Sequence, residues 1–148
     1  MNVGSILRSK GTHVETASTG TTLRDAAMRL ADKKIGSLVI LDEANKRVVG
    51  VLAERDLVRA FAERGTVAFG LPVKAILTGT PATCTPDDSV DKVLTEMTRR
   101  RTRHLPVMSA GVLIGIVSLG DAVKRRLDNL QLELGVLRDH VRVRFIAS

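Results

Sequence analysis

The chain has 148 residues, of which 44% are hydrophobic and 26% charged, a composition typical of a compact soluble domain and not of a disordered tail, a collagen-like fibre or a disulfide-rich miniprotein. Its 23 Lys and Arg against 16 Asp and Glu give a net charge of +7, which favours phosphate-bearing partners, while the absence of Trp and Tyr excludes an aromatic platform for single-stranded bases. A single cysteine excludes an internal disulfide, and no apolar run approaches the roughly 20 residues of a membrane span, so we expect a cytoplasmic protein.

The first half of the chain begins with residues 3–7 (VGSIL), which predict a short lead-in helix. After a brief extended segment, Thr22 is a hydroxyl cap for a second helix. The apolar residues behind this cap recur at i, i+3, i+4 and i+7: Leu23, Ala26, Ala27 and Leu30. Residues 37–41 and 49–53 then predict two strands whose continuous apolar runs indicate helices on both faces. A further helix ends at Gly65.

The second half repeats this order. Residues 73–77 (VKAIL) match residues 3–7 at an offset of 70, and Ser89 matches Thr22 as a helix cap at an offset of 67. Two apolar segments, residues 104–108 and 114–118, match the two strands of the first half. The chain is therefore predicted to contain two copies of one unit.

We predict an α/β (α+β) fold made of two β-α-β-β-α repeats and a C-terminal helix. The expected division is residues 1–65 for repeat 1, residues 66–72 for a linker, residues 73–127 for repeat 2 and residues 128–148 for a helical tail. A unit of about 60 residues buries only a marginal fraction of its surface alone. We therefore expect the repeats to pack on each other about a pseudo-twofold axis with a cleft on it.

The order, spacing and duplication of several short motifs resemble the CBS-domain family, named for cystathionine β-synthase, over residues 3–127. The first half carries residues 50–56 (GVLAERD) but has Val39 where the family usually has Pro. The motifs of the second half are residues 85–90 (TPDDSV), 104–107 (HLPV) and 115–121 (GIVSLGD). The resemblance implies a Bateman module, a regulatory pair that binds AMP, ADP, ATP, NAD or S-adenosylmethionine between its repeats.

The second repeat places a carboxylate one turn after a strand end. The backbone N–H groups after Ser118 face outward at a helix start and can bind a phosphate, with Gly120 in the same turn. The Ser118 hydroxyl adds a donor, and Asp121 can accept both hydroxyls of a ribose. Gly115 would let a ligand approach the strand closely.

The same spacing is close to a capping box, in which Asp121 would only bond the start of its helix. In the first repeat Asp56 stands at the equivalent position behind Ala53, which has no hydroxyl, and this indicates a role beyond capping. Without that hydroxyl the first site should bind phosphate more weakly, with Arg55 as a substitute donor. We therefore expect the Asp121 site to be the better one.

The resemblance also implies an adenine pocket in each half, built from backbone and apolar side chains. The residues for the second site are Ala82, Thr83, Thr102, Arg103 and Ile116, and those for the first site are Ile35, Gly36 and Val51. For Ile116 and Val51, ordinary core packing is an equal alternative. Among the arginines at 99–101, one could meet a phosphate, or all three could be a solvated helix end.

The tail carries a further pattern, since apolar residues spaced 3, 4, 3 and 4 form a helical seam: Leu127, Leu130, Leu134, Leu137 and Val141. The seam could pack on its own domain or across a homodimer, and pairs of this family commonly form two-chain discs, which favours the dimer. The chain would then be a dimeric energy or redox sensor that acts in signal transduction on a separate, unknown partner protein.

Other functions compete with this hypothesis. The arginines and the basic tail around Arg138, Arg142 and Arg144 would suit nucleic-acid binding, which predicts a steep salt dependence. A purely structural dimerisation unit is a third alternative. The basic charge is spread evenly, with 11 basic and 8 acidic residues in 1–70 and 12 and 8 in 71–148, which disfavours a nucleic-acid tail. The histidines lack metal-ligand spacing and no catalytic loop motif occurs, so we expect neither a metal nor an enzyme.

Overall fold

The computed structural model describes residues 1–147, and side-chain surroundings over residues 1–140. Five helices and five strands follow the predicted order. Their bounds are α1 Val3–Lys10, β1 Thr16–Ser18, α2 Leu23–Lys33, β2 Ser37–Leu41, β3 Val48–Ala53, α3 Glu54–Arg64, α4 Val90–Arg100, β4 His104–Ser109, β5 Val112–Ser118 and α5 Leu119–Ala147. The α/β class and the tandem repeats are confirmed.

The first helix of each repeat proper begins and ends in the same way. The Thr22 hydroxyl accepts the N–H of Asp25 at 3.1 Å, and the Ser89 hydroxyl accepts the N–H of Lys92 at 3.0 Å, as the predicted N-caps require. Both helices end on a left-handed residue, Lys34 with φ 54° and Arg101 with φ 52°. The matching caps at both ends support the duplication inferred from the sequence.

Each repeat contributes a small sheet. In the first, β1 is parallel to β2 and β2 is antiparallel to β3. In the second, β4 and β5 are antiparallel, and the counterpart of β1 is reduced to one parallel bridge between Cys84 and Val107. The Cys84 N–H donates to Pro106 and its carbonyl accepts from Met108, so the short segment is still held in the sheet.

The lead-in segments are exchanged between the repeats. Helix α1 buries Val3, Ile6 and Leu7 in the core of the second repeat, formed mainly by α4, β4, β5 and the start of α5. The matching segment of the second half buries Val73 in the core of the first repeat. Each core is therefore completed by a segment from the other half of the chain. The predicted division at residues 66–72 stays a prediction, but the two halves are not separately packed units.

The two lead-in segments differ in length. The first is a helix of eight residues, whereas the second is a single 3-10 turn, Val73–Ala75. A helix was predicted at both places. A helix as long as α1 cannot form in the second segment, because Gly79 has a φ of 69° and Pro81 disfavours helical backbone in Thr80. The predicted linker also contains a 3-10 helix, Gly65–Gly70, which buries Ala68 in the first core.

Helix α5 runs on for 29 residues, Leu119–Ala147. The seam side chains are between 38% and 59% exposed: Leu127, Leu130, Leu134 and Leu137. These four seam side chains are therefore only partly covered by the rest of the described chain. Val141, Arg142 and Arg144 are not among the residues whose side-chain surroundings are described. Within the described residues, no helix has the length and apolar composition needed to cross a membrane.

Candidate functional site

Two clefts lie where the strands of one repeat meet the lead-in and strand entry of the other. At the first, the N–H of Glu54 donates to the Gly36 carbonyl at 3.3 Å as α3 begins. At the second, the N–H of Leu119 donates to the Arg103 carbonyl at 2.7 Å as α5 begins. These equivalent bonds fix the start of each closing helix beside the entry to the preceding strand.

The first cleft combines residues of both repeats. Val51 and Asp56 come from the first repeat, and Ala82, Arg100 and Thr102 come from the second. Its volume is about 140 Å³. A carboxylate, an apolar strand residue, an extended backbone segment and an arginine thus share one cavity. This set can offer a diol acceptor, an apolar surface for a flat ring, backbone hydrogen bonds and a cation for phosphate.

The second cleft is the pseudo-symmetric counterpart. Ile35 and Gly36 of the first repeat face Ile116 and Ser118 of the second. The remaining lining residues come from the end of α1, the segment after it and the starts of strands β2 and β4: Lys10, His13, Val14, Glu15, Ser37 and His104. Its volume is about 210 Å³. Both volumes are below the several hundred cubic ångströms of typical small-molecule sites, so a ligand as large as a nucleotide must move side chains or extend into solvent.

The predicted grouping of the pocket residues is wrong in one respect. Ala82 and Thr102 were grouped with Ile116 and the Asp121 site, but they line the cleft that contains Asp56 and Val51. Ile35 and Gly36 were grouped with Asp56, but they face Ile116 and Ser118. The exchange of lead-in segments is the cause, because the extended segment of each half crosses to the carboxylate of the other.

Asp121 is engaged on one oxygen in the structure. Its Oδ2 accepts the backbone N–H of Ser118 at 2.9 Å and the ammonium of Lys10 at 2.7 Å. The backbone N–H of Asp121 in turn donates to the Ser118 hydroxyl at 3.1 Å, which completes the capping box that the sequence left open. Burial would raise the pKa of Asp121, but the bonds from Lys10 and Ser118 outweigh it and hold the pKa below its ordinary value.

Asp56 is less encumbered. Its Oδ2 accepts the backbone N–H of Ala53 at 2.8 Å, and within the described side chains it has no ion-pair partner. A carboxylate can therefore cap the helix start without a hydroxyl partner, so the missing hydroxyl at Ala53 does not by itself indicate a role beyond capping, and the ligand role of Asp56 stays a prediction. The expected superiority of the Asp121 site stays a prediction, and the contact with Lys10 counts against it.

Gly115 serves packing and not ligand approach. A side-chain carbon at Gly115 would come within 2.7 Å of Leu7, and one at Gly50 would come within 2.9 Å of Leu77. The two glycines therefore admit the lead-in segments onto the strands of the opposite repeat. The prediction that Gly115 lets a ligand approach the strand closely is wrong, because Leu7 fills the space beside this glycine.

The remaining predicted residues are spread around the clefts. Arg55 and Arg103 line a third cavity between the two clefts, together with His104. Gly120 is exposed in the first turn of α5, and Thr83 is exposed beside Ala82; neither lines one of the two clefts or the third cavity. Their assignment to the ligand site stays a prediction.

Lys10 was not among the predicted ligand-site residues, and Arg100 was not distinguished from its neighbouring arginines. Arg100 donates to the Thr80 carbonyl and lines the first cleft, whereas its neighbour Arg99 pairs with Glu96 at 2.9 Å. One signal was available for Lys10: it stands seven residues after Val3, as Thr80 stands seven after Val73. The repeat alignment would therefore have placed Lys10 and Thr80 at equivalent cleft positions.

His104 lies between the clefts, since it lines both of them and the cavity between them. Burial lowers the pKa of His104, and the nearby Lys10 and Arg103 lower it further against the opposing effect of Asp121 and Glu54. The imidazole is therefore neutral near pH 7. Its counterpart in the first repeat is Ser37, so the imidazole makes the two clefts chemically unequal.

The remaining chemically reactive features are possible metal-ligating clusters and the single cysteine, Cys84. No group of three or more His, Cys, Asp or Glu side chains suited to a metal ion occurs among the residues with described side chains. Burial raises the pKa of the Cys84 thiol to about 12, which keeps it protonated and a poor nucleophile.

Comparison with known proteins identifies the family. The CBS-domain model matches residues 3–63 and 73–128. The chain is 37% identical to the CBS-domain protein ATU1752 from Agrobacterium tumefaciens, with a TM-score of 0.80 over 84% of this chain and 92% of that one. It is 28% identical to PAE2072 from Pyrobaculum aerophilum, solved in complex with AMP, with a TM-score of 0.72 over 82% of this chain and 89% of that one.

A further structural relative is the CBS-domain pair of protein MJ0100, solved with 5′-methylthioadenosine and S-adenosyl-L-methionine. It is 25% identical, with a TM-score of 0.73 over 87% of this chain and 97% of that chain. The family match spans both halves, and the similar folds cover most of each chain. The chain therefore belongs to the CBS-domain family and carries two tandem copies of the domain.

Proposed function

We propose that this chain is a regulatory module that binds an adenine nucleotide in the clefts between its repeats and controls a separate protein. The observation that carries the proposal is the first cleft, where the Asp56 carboxylate, the apolar Val51, the backbone at Ala82 and the guanidinium of Arg100 surround one cavity. These are a diol acceptor, a ring contact, an edge for hydrogen bonds and a phosphate partner.

The relatives support this chemistry. PAE2072 was solved with AMP, and the MJ0100 pair with 5′-methylthioadenosine and S-adenosyl-L-methionine, so the common element of their ligands is adenosine. In this chain a basic side chain lines each cleft, Arg100 in the first together with Asp56, and Lys10 in the second, where it pairs with Asp121 beyond the cleft wall. Cations at these places favour AMP, ATP or NAD over S-adenosylmethionine, whose sulfonium is positively charged.

A binding module of this kind needs a way to transmit occupancy. A ligand that touches both repeats favours the closed arrangement of the clefts by as much as its affinities for the two arrangements differ. The exposed seam of α5 supplies a surface for a second copy of the chain, so we propose a homodimer whose geometry responds to the ligand. Regulation then acts in trans on a partner protein and needs no catalysis by this chain.

The decisive experiment is isothermal titration with AMP, ATP, NAD and S-adenosylmethionine. We expect at least one adenine nucleotide to bind, and Asp56→Asn and Asp121→Asn each to weaken one site about 10- to 100-fold, because a charge-assisted hydrogen bond is worth about 1.5–3 kcal/mol. Asn is the chosen replacement because its carbonyl oxygen can still accept the capping N–H.

The matched control is Asp25→Asn, which makes the same charge change in the first turn of α2, outside the clefts. It should leave binding unchanged. If none of the four compounds binds, or if the Asp56→Asn, Asp121→Asn double variant binds as the wild type does, the proposal fails. Binding of nucleic acid that falls steeply with salt in place of nucleotide binding would favour the competing hypothesis.

A further inference from the structure

Lys10 separates Asp121 from the rest of the second cleft. Its ammonium donates to Asp121 Oδ2 at 2.7 Å and to the Ile116 carbonyl at 3.0 Å. Lys10 lines the second cleft on one side and, on the other, a smaller cavity between α1 and α5 that contains Asp121. In the first cleft, by contrast, Asp56 shares a single cavity with the rest of the proposed site.

From this asymmetry we propose that Lys10 makes the Asp121 cleft selective for nucleosides that carry a phosphate at the 5′ position, whereas the Asp56 cleft also accepts uncharged nucleosides. The inference rests on the proposed function, because it assigns the ligand class of one of the same two clefts.

Lys10 and a ribose diol compete for Asp121. A ribose diol that donates to both carboxylate oxygens needs Oδ2, which already accepts from Lys10 and from the Ser118 N–H. The ammonium must therefore leave before the diol binds. The equivalent position in the first repeat is Thr80, a neutral residue, so Asp56 requires no such displacement.

Once displaced from Asp121, Lys10 finds no free carboxylate in the second cleft. Glu15, the carboxylate of the same cleft, already faces His13 at 2.7 Å, Arg29 at 3.4 Å and Lys33 at 4.0 Å. Three basic groups thus surround it. An uncharged nucleoside would displace Lys10 from its anion and offer none in return, whereas a 5′-phosphate would replace the lost partner.

On the α5 side, the other carboxylate that Lys10 could pair with already lies near other cations. Asp128 lines the cavity beyond Lys10, but it lies there with Lys124 and Arg125. The chemistry of the cleft therefore makes a phosphate the favourable partner of Lys10, and it makes a cationic sulfonium the least favourable ligand.

The backbone of Lys10 is held in place while its side chain is free to move. It is the last residue of α1, whose apolar face is buried in the second core, and Leu7 packs against Gly115 on β5. The side chain is 33% exposed, so it can swing from Asp121 toward a bound phosphate while the helix stays in place. Lys10 is therefore a selectivity residue carried on a fixed element.

The test uses the full chain with Asp56→Asn, so that the Asp121 cleft dominates the titration. In this background we expect AMP to bind at least about tenfold more tightly than adenosine, since a hydrogen bond to a charged group supplies that ratio. Adding Lys10→Met should weaken AMP and strengthen adenosine, so that the ratio falls toward one. Lys10→Arg should keep the preference for AMP, because it keeps the charge.

The control is Arg8→Met, which removes one positive charge from an exposed position on the same helix and should leave the AMP-to-adenosine ratio unchanged. A ratio that Lys10→Met does not alter overturns the inference alone, as does an Asp56→Asn protein that binds neither compound while the wild type binds AMP. A wild-type chain that binds neither compound overturns the proposed function as well. Unchanged thermal midpoints in the Lys10 variants would show that the fold is intact.

Discussion

At the scale of single residues, the same short motif has acquired different surroundings in the two repeats. Asp56 and Asp121 both bond the backbone N–H three residues before them, but only Asp121 faces an ammonium. A capping role and a ligand role are therefore compatible, because each carboxylate oxygen can accept two hydrogen bonds and the cap takes only one acceptor place on Oδ2. His104 adds a second inequality, since Ser37 takes its place in the other repeat.

His104 predicts a pH dependence of stability. Because burial lowers its folded pKa below the ordinary value of 6.5, the unfolded chain takes up a proton first as pH falls below about 6.5, and stability decreases toward pH 5. Above that pH the residue is neutral in both states and contributes no slope. We expect the urea midpoint to fall between pH 7 and pH 5, and to fall less in His104→Gln.

The matched control for this measurement is His140→Gln, at an exposed position on α5. It should leave the pH slope as in the wild type. The carboxylates with lowered pKa values, Glu15, Asp88, Glu96 and Asp121, lose their contribution only at lower pH, as pH falls through their folded values. An equal slope in His104→Gln and the wild type would contradict the assignment to His104.

At the scale of elements, α1 and α5 carry most of what distinguishes this chain. Helix α1 completes the core of the second repeat and positions Lys10 at the cleft. Helix α5 begins as the closing helix of the second repeat, and residues 127–140 expose apolar side chains on more than one side, with Leu132 and Val136 exposed away from the seam. Its exposed apolar seam is the surface that the proposed dimer would cover.

The seam of α5 predicts a dimer that charge can disrupt. We expect the wild type to be dimeric by light scattering coupled to size exclusion, and Leu130→Glu with Leu134→Glu to shift it to monomer and to reduce its helical signal in circular dichroism. The control pair, Asn129→Glu with Gln131→Glu, adds the same charge in the same turns outside the seam and should stay dimeric. A wild type that is monomeric at all concentrations would disprove the prediction.

At the scale of the whole molecule, the exchange of lead-in segments joins two small repeats into one structure. Val3, Ile6 and Leu7 of the first half are buried in the core of the second repeat, and Val73 of the second half is buried in the core of the first repeat. Each buried aliphatic side chain is worth about 1.5–3 kcal/mol, a large part of the stability that a small domain has. The exchange also brings the extended segment of one repeat to the carboxylate of the other, which forms the clefts.

This exchange predicts how the chain responds to being divided. Separate fragments of residues 1–70 and 71–148 should each lack cooperative thermal unfolding, because each core misses side chains from the other fragment. Mixing them should restore helical signal and a cooperative transition. The measurement is circular dichroism of each fragment and of the mixture, beside the intact chain. A fragment that alone unfolds with the midpoint of the intact chain would contradict the role given to the exchange.

The sequence by itself determined most of the elements, the duplication, the family and the two carboxylates at helix starts, but not the short 3-10 turn at Val73–Ala75 or the loss of the first strand of the second repeat. These follow from short-range signals, such as the cap at Thr22 and the apolar spacing behind it, which recur at nearly constant offsets in both halves. Only the tertiary structure decided which segment faces which carboxylate, that Leu7 fills the space at Gly115, and that Lys10 pairs with Asp121, 111 residues away. The physical reason is the duplication itself: when both halves carry the same pattern, pairing within a repeat and pairing between repeats bury the same kinds of residues, and local patterns cannot distinguish them.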